Sequence, residues 1–100
     1  MTLQQLEYIL AVDHFRHFAK AAEYCRVTQP TLSAMIQKLE EELDTRIFDR
    51  TRQSVCPTQV GRRVLEQARY VLEQAGHIKD IIAEEKQSLA GTFTLGILPT

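Results

Sequence analysis

Hydrophobic and polar positions repeat along most of this chain with the three- and four-residue spacing of amphipathic helices. The first repeat follows Thr2, a residue type that caps helices, and Gln5 lies three positions later, as in a capping box. We expect this helix to end near Asp13. Its apolar stripe consists of Leu3, Leu6, Ile9 and Leu10.

A short second repeat and a longer third one follow. The short repeat places Phe18, Ala21, Ala22 and Cys25 on one face. Thr28 then predicts the N-cap of a third helix, with Pro30 in the first turn, where the N–H that proline lacks is not needed. The apolar stripe of this helix consists of Leu32, Met35, Ile36, Leu39 and Leu43. Its opposite face is open to a partner and carries Pro30, Ala34, Gln37, Lys38 and Glu41, flanked by Thr31 and Ser33.

The helical pattern breaks between residues 46 and 57. Two β-prone pairs, Ile47 with Phe48 and Val55 with Cys56, flank the polar residues 51–54. This pattern predicts a two-stranded hairpin, or wing, that ends before Pro57 and carries Arg50 and Arg52 near its tip.

The fourth repeat predicts a helix over about residues 58–87, about 45 Å long at 1.5 Å per residue. Its apolar positions form a heptad seam that consists of Val64, Ala68, Val71, Ala75, Ile78 and Ile82. A small domain cannot cover so long a stripe, so we expect this helix to pair two copies of the chain in a homodimer. Residues 92–98 are β-prone and, since one strand needs partners, we expect residues 91–100 to begin a further domain.

Composition limits the class of protein. With 100 residues, 44% hydrophobic and 25% charged, the chain is typical of one soluble domain. It has neither a long apolar run nor a signal-peptide pattern, so we expect a cytoplasmic protein with no membrane partner. The net charge of −1 does not indicate nucleic-acid binding, but residues 46–63 contain five arginines and a single acid.

The order of elements suggests a function. A short helix, a tight turn and a helix with a polar N-terminal half form a helix-turn-helix, which fits a major groove about 12 Å wide. The predicted contacts to double-stranded DNA are Gln29, Pro30, Thr31, Ser33, Gln37 and Lys38 on the third helix, and Arg50 and Arg52 on the wing. The predicted architecture is all-α with a small β wing: a winged helix-turn-helix over residues 1–58, then a dimerisation helix over residues 59–90.

Two other classes compete with this interpretation. In a helical protein-interaction module, the polar face of the third helix would meet only water. An enzyme would need a catalytic arrangement, and the chain has neither a Ser/His/Asp pattern nor a glycine-rich phosphate loop. His14 and His17 have a spacing that can share a metal, but no cluster completes a site, so we expect no metal and no cofactor.

Six short runs carry a resemblance to a known family. They are LQQL at 3–6, AAE at 21–23, VTQPTLS at 27–33, LEEEL at 39–43, FDR at 48–50 and TQVG at 58–61. In this order the runs resemble the N-terminal region of LysR-type transcriptional regulators. The resemblance implies groove-reading residues on the third helix, wing contacts at Arg50 and Arg52, and a dimer, or a tetramer at full length. It also implies an effector-sensing domain after the linker helix.

The chain departs from the family pattern at two positions. Many members have arginine where Ala34 stands, so one expected DNA contact is missing. A glycine usually ends the third helix where Asp44 stands, and only glycine adopts the left-handed conformation freely. We therefore expect a differently shaped corner after this helix.

Overall fold

The computed structural model describes residues 1–51 and 54–94. Its helices are α1 (Leu3–Phe15), α2 (Phe18–Cys25), α3 (Gln29–Leu43) and α4 (Gln59–Thr94). Strands β1 (Phe48–Asp49) and β2 (Cys56–Pro57) form an antiparallel pair between α3 and α4. The predicted all-α fold with a small β wing is confirmed.

Helix α1 begins with the predicted capping box. The N–H of Gln5 donates to Thr2 Oγ1 over 3.1 Å, and the N–H of Thr2 donates to Gln5 Oε1 over 2.9 Å. Gln5 is also buried and its Nε2 donates to the carbonyl of Met35 over 3.1 Å, which ties α1 to α3. The buried face of α1 differs from the predicted stripe, because Leu3 is 48% exposed. Tyr8, Ala11 and Val12 are buried instead.

The core lies between α1 and the helices around it. Leu32, Ile36 and Leu39, on the predicted apolar face of α3, are completely buried, whereas Met35 and Leu43 on the same face are partly buried. Ala21 and Ala22 are buried on α2, where their small side chains allow its neighbours to approach closely. Because its inner face is held in this way, α3 presents a fixed opposite face.

Helices α1, α2 and α3 all end on a non-glycine residue in the left-handed conformation: Arg16, Arg26 and Asp44. At Asp44 (φ 50°, ψ 45°) the N–H donates to the Glu41 carbonyl, and the N–H of Thr45 donates to the Glu40 carbonyl over 3.0 Å. This is the hydrogen-bond pattern of a glycine-ended helix. The expectation of a differently shaped corner is therefore wrong, because aspartate itself adopts the left-handed conformation here.

The wing is displaced by one residue from its predicted position. Phe48 pairs with Pro57, and Asp49 pairs with Cys56, so Pro57 belongs to the second strand and does not end it. Proline is tolerated because this two-stranded sheet leaves an edge on which no N–H is required. Arg52, the predicted wing contact, lies outside the described residues.

Helix α4 begins where its cap predicts and extends further than predicted. Thr58 Oγ1 accepts the N–H of Gly61 over 2.9 Å and donates to the carbonyl of Arg46 over 2.7 Å. The helix continues through Thr94, so residues 92–94 are helical and not extended as predicted. The strand expected to follow, at residues 95–98, lies outside the described residues.

The predicted heptad seam of α4 divides into two parts. Ala68 is 3% exposed within its own subunit, so the structure moves it from the predicted dimer interface to the core. Val64 and Val71 pack partly against the same core, because α4 lies along α1. Ala75 is half-buried, whereas Ile78 and Ile82 are 63% and 50% exposed. Ile81, which the heptad pattern omits, is 56% exposed beside them.

Candidate nucleic-acid interface

The exposed N-terminal half of α3 holds most of the predicted DNA contacts. Gln29, Pro30, Thr31, Gln37 and Lys38 are exposed, and Ser33 is half-exposed. Ala34, where the family often has arginine, is also exposed. The structure thus brings the six predicted helix residues together on one open surface of α3.

Local hydrogen bonds orient part of this surface. Thr28 Oγ1 accepts the N–H of Thr31 over 3.3 Å and donates its own hydrogen to Thr31 Oγ1 over 2.8 Å. The hydroxyl of Thr31 therefore keeps its own hydrogen for a further acceptor. Gln37 Nε2 donates to Glu41 Oε1 over 3.4 Å, a contact that an incoming partner would have to replace. The two hydrogen bonds between Thr28 and Thr31 thus hold the first turn of α3.

Arg50 does not lie at the tip of the wing as predicted. It follows β1 directly and its side chain, 30% exposed, turns back toward the helices. Its Nη2 donates to Glu40 Oε1 over 3.4 Å, and its guanidinium lies 5.0 Å from the ring centre of Phe18. Two helices of the helix-turn-helix thus hold this arginine at the base of the wing.

Glu40 is a functional candidate that the sequence analysis missed. It is 5% exposed, although glutamate is rarely buried without partners. The signal was its spacing, since Glu40 follows Ile36 by four residues and Leu32 by eight, on the buried face of α3. An acid at such a position indicates a specific partner.

Glu40 also changes the charge of this region. Counted along the chain, residues 46–63 carry a local charge of +4, but Arg46 and Arg50 both approach the Glu40 carboxylate. The folded region is less positive than the count suggests, because the neutralising acid comes from α3. Arg62 and Arg63, at the start of α4, are exposed.

The two cysteines lie in different elements. Cys25 is half-buried on α2, and burial, with a smaller effect of the nearby Glu7 carboxylate, raises the pKa of its thiol. A raised pKa reduces the thiolate fraction at neutral pH and so makes the group less reactive. Cys56, in β2, is also half-exposed.

No cluster of three potential metal ligands occurs within residues 1–51 and 54–94. Over the same ranges, no helix has both the length and the apolarity that crossing a bilayer requires.

The chain is similar to known transcription regulators over its whole length. It is 40% identical over 100 residues to the hydrogen peroxide-inducible genes activator of Pectobacterium carotovorum, and it spans 33% of that protein. Its length is thus about a third of that of the curated relatives it matches.

Two solved structures show the same architecture. Full-length OxyR from Pseudomonas aeruginosa, in a variant form, is 45% identical, with a TM-score of 0.80 over 84% of this chain and 28% of that one. The BenM DBD in complex with catB site 1 DNA is 31% identical, with a TM-score of 0.82 over 86% of this chain and 97% of that one.

Residues 3–62 match the family described as "Bacterial regulatory helix-turn-helix protein, lysR family". This match covers α1, α2, α3, the wing and the first residues of α4. The chain belongs to the LysR family of bacterial regulatory helix-turn-helix proteins.

Proposed function

We propose that this chain is the DNA-binding part of a LysR-type transcriptional regulator and that α3 reads base sequence in the major groove. The exposed N-terminal half of α3, fixed from behind by its buried face, is the observation that carries this proposal. The N-terminus of α3 also favours phosphate binding, because its N–H groups and the helix dipole attract negative charge. The solved complex of the BenM DBD with DNA supports the same assignment.

The side chains of α3 suit different parts of the duplex. Gln29 can form paired hydrogen bonds with a base edge, and Thr31 and Ser33 can reach a base or a phosphate. Pro30 offers apolar surface to a thymine methyl group, while Gln37 and Lys38 extend further. The wing supplies backbone contacts from Arg50 and, by its sequence position, from Arg52.

A homodimer would present two copies of α3 to one operator. The exposed isoleucines at 78, 81 and 82 supply an apolar surface on α4 for the second copy. A symmetric pair of subunits requires an inverted-repeat operator, with half-sites separated by whole helical turns of about 10.5 base pairs. The full-length regulator would then be either such a dimer or a tetramer made of two dimers.

The signal that controls such a regulator belongs to the rest of the protein. The runs QPTLS at 29–33 and GILPT at 96–100 resemble OxyR, and the relatives at 38–40% identity are named as hydrogen peroxide-inducible genes activators or as the dual regulator OxyR. We therefore favour a cytoplasmic, peroxide-responsive activator that is not an enzyme. The alternative is a LysR-type regulator that senses a small metabolite, since relatives at 36–37% identity include regulators with other names, EstR and XapR.

Substitution of Gln29 tests the proposed function. Gln29→Ala should reduce the preference for one base position by about 1–3 kcal/mol if the contact is bidentate, and should leave mixed-sequence binding nearly unchanged. An operator selected from a randomised duplex pool with the unmodified protein supplies the specific probe. The matched control is Gln87→Ala, which removes an exposed glutamine from the far part of α4.

Salt dependence separates this proposal from a protein-interaction module. Binding that neutralises phosphates weakens steeply with salt, with a slope near −0.9 for each contact. If the unmodified chain binds no duplex at low salt, or if Gln29→Ala affects all sequences equally, the groove-reading assignment is wrong.

A further inference from the structure

Glu40 holds together the segment that connects α3 to the wing. Its Oε2 accepts the N–H of Ile47 over 2.8 Å and the N–H of Phe48 over 3.3 Å, where β1 begins. Its backbone carbonyl accepts the N–H of Thr45 over 3.0 Å. Glu40 therefore accepts hydrogen bonds from three backbone N–H groups of this connection, those of Thr45, Ile47 and Phe48.

The other carboxylate oxygen faces two arginines. Glu40 Oε1 lies 3.4 Å from Arg50 Nη2 and 3.8 Å from Arg46 Nη1. The Arg46 side chain is 72% exposed, so water screens that pair strongly, whereas the Arg50 side chain is 30% exposed. Phe18, the first residue of α2, lies under the Arg50 guanidinium at 5.0 Å. A planar cation held at one edge by a carboxylate and on one face by a ring has little freedom to rotate.

Stability alone does not explain a buried carboxylate here. A buried ion pair is often no more stabilising than apolar side chains of the same volume, because both charges lose their hydration. What an apolar residue at this position cannot do is orient a guanidinium and two backbone N–H groups at once. The role of Glu40 therefore lies in how it orients these groups.

We propose that Glu40 is a positioning residue: it orients Arg50 and the base of the wing relative to α3, so that helix and wing meet one duplex as a single rigid unit. This proposal rests on the proposed function. Arg50 has five N–H donors, and its contact with Glu40 leaves donors for a DNA phosphate. A cation that is already oriented loses less side-chain entropy when it binds, so affinity rises without any further contact.

A double-mutant cycle between Glu40→Gln and Arg50→Ala tests the coupling. Glutamine keeps the volume of the side chain, and its amide oxygen can still accept the backbone N–H groups, but its NH₂ group brings a donor where Arg50 needs an acceptor. The probe is a mixed-sequence duplex three helical turns long, titrated at several salt concentrations. Glu42→Gln is the control, since it makes the same chemical change at an exposed position of α3.

Each single variant should weaken binding several-fold and reduce the salt slope by about 0.9 for each phosphate that the variant no longer neutralises. The double variant should bind no more weakly than Arg50→Ala alone, because the carboxylate oxygen that glutamine replaces acts through Arg50. Glu42→Gln should keep the original slope. If Glu40→Gln binds as the unmodified chain does, or if the two effects add in full, the positioning role is wrong.

Amide hydrogen exchange provides a measurement that does not depend on DNA. In Glu40→Leu the Ile47 and Phe48 amides should exchange faster, because leucine offers them no acceptor. If they do, but the unmodified chain binds no duplex, the proposed function fails and the link between α3 and the wing stands. Unchanged exchange at both amides would overturn that link.

A second variant applies if Glu40→Gln does not fold. Phe18→Leu removes the ring under the guanidinium and leaves the Glu40 hydrogen bonds in place. It should weaken duplex binding when Arg50 is present and have no effect in Arg50→Ala. An equal effect in both backgrounds would show that Arg50 needs no fixed orientation.

Discussion

Arg16, Arg26 and Asp44 all have positive φ at a helix end, where glycine would be the unstrained residue. Left-handed backbone costs an L-residue roughly 1–2 kcal/mol, and aspartate less than most. The hydrogen bonds at Asp44 show that this chain keeps the usual helix end in spite of that cost. A substitution that relieves this backbone strain at Asp44 should therefore stabilise the protein.

Asp44→Gly should stabilise the protein. Glycine relieves the left-handed strain but adds freedom to the unfolded chain, so we expect a net gain of about 0.5–1 kcal/mol. For a domain of this size the gain corresponds to a rise in Tm of about 2–8 °C, measured by thermal unfolding. Asp44→Ala is the control, because it retains a Cβ, and it should not raise Tm. A glycine variant no more stable than the original would show that the strain at Asp44 is no larger than the entropy that glycine adds to the unfolded chain.

At the residue scale, local signals were predictable and long-range ones were not. The capping box of Thr2 and Gln5 involves neighbours three residues apart, so spacing alone located it. The contacts of Glu40 with Ile47 and Arg50 depend on how the chain turns after α3. Arg50 was therefore predicted at an open wing tip, whereas the fold holds it at the wing's base.

The contact between α4 and the wing depends on a glycine. A Cβ at Gly61 would lie 2.0 Å from the carbonyl oxygen of Ile47 and 2.9 Å from Thr58 Oγ1. The same carbonyl accepts the N–H of Thr58 over 2.8 Å. Strand and helix therefore approach each other closely at this point, with no room for a side chain.

Gly61→Ala should destabilise the fold, and Gly76→Ala should stabilise it. At Gly61 an added Cβ forces the backbone at Ile47, just before β1, to move. We expect this to lower the free energy of unfolding by about 2–3 kcal/mol. At Gly76, on the same helix, nothing lies within 4 Å of an added Cβ, so alanine should gain about 0.5–1 kcal/mol from its helix propensity. Urea unfolding of the two variants measures both effects. Equal changes at the two positions would contradict the close approach at Gly61.

At the element scale, the starts of α1, α3 and α4 were predictable because each has a threonine cap. Thr2, Thr28 and Thr58 all accept an N–H from the first turn, as their sequence positions indicated. The register of the wing was not predictable, since strands of two residues carry almost no alternation to align. The end of α4 was also missed, because β-prone residues at 92–94 continue a helix already formed.

Helix α4 has two roles along its length. Its 36 residues correspond to about 54 Å at 1.5 Å per residue, far longer than α1, against which its first part packs. Leu65 and Ala68 are buried there, whereas Ile78, Ile81 and Ile82 are at least half exposed. The periodicity predicted a continuous seam because it could not show which turns the chain's own core already covers. The exposed isoleucines therefore test dimerisation better than the positions nearer α1.

Ile78→Asp should convert the proposed dimer to a monomer without unfolding it. The side chain is 63% exposed in the single subunit, so an aspartate there stays hydrated when the subunit is alone. In the dimer the same carboxylate would lose its hydration, which is unfavourable. Light scattering should show one subunit at concentrations where the unmodified chain forms two. Circular dichroism should show unchanged helix content.

DNA binding by the same variant then connects assembly to function at the scale of the whole molecule. Two linked DNA-binding domains bind about 10²–10⁴ times more tightly than one, because the second domain is present at a high effective concentration. Ile78→Asp should therefore lose most of its affinity for a two-half-site operator while it binds an isolated half-site as before. Gln87→Asp, which adds the same charge on the opposite side of α4, should remain dimeric. A dimeric Ile78→Asp would show that the exposed isoleucines do not pair the two subunits.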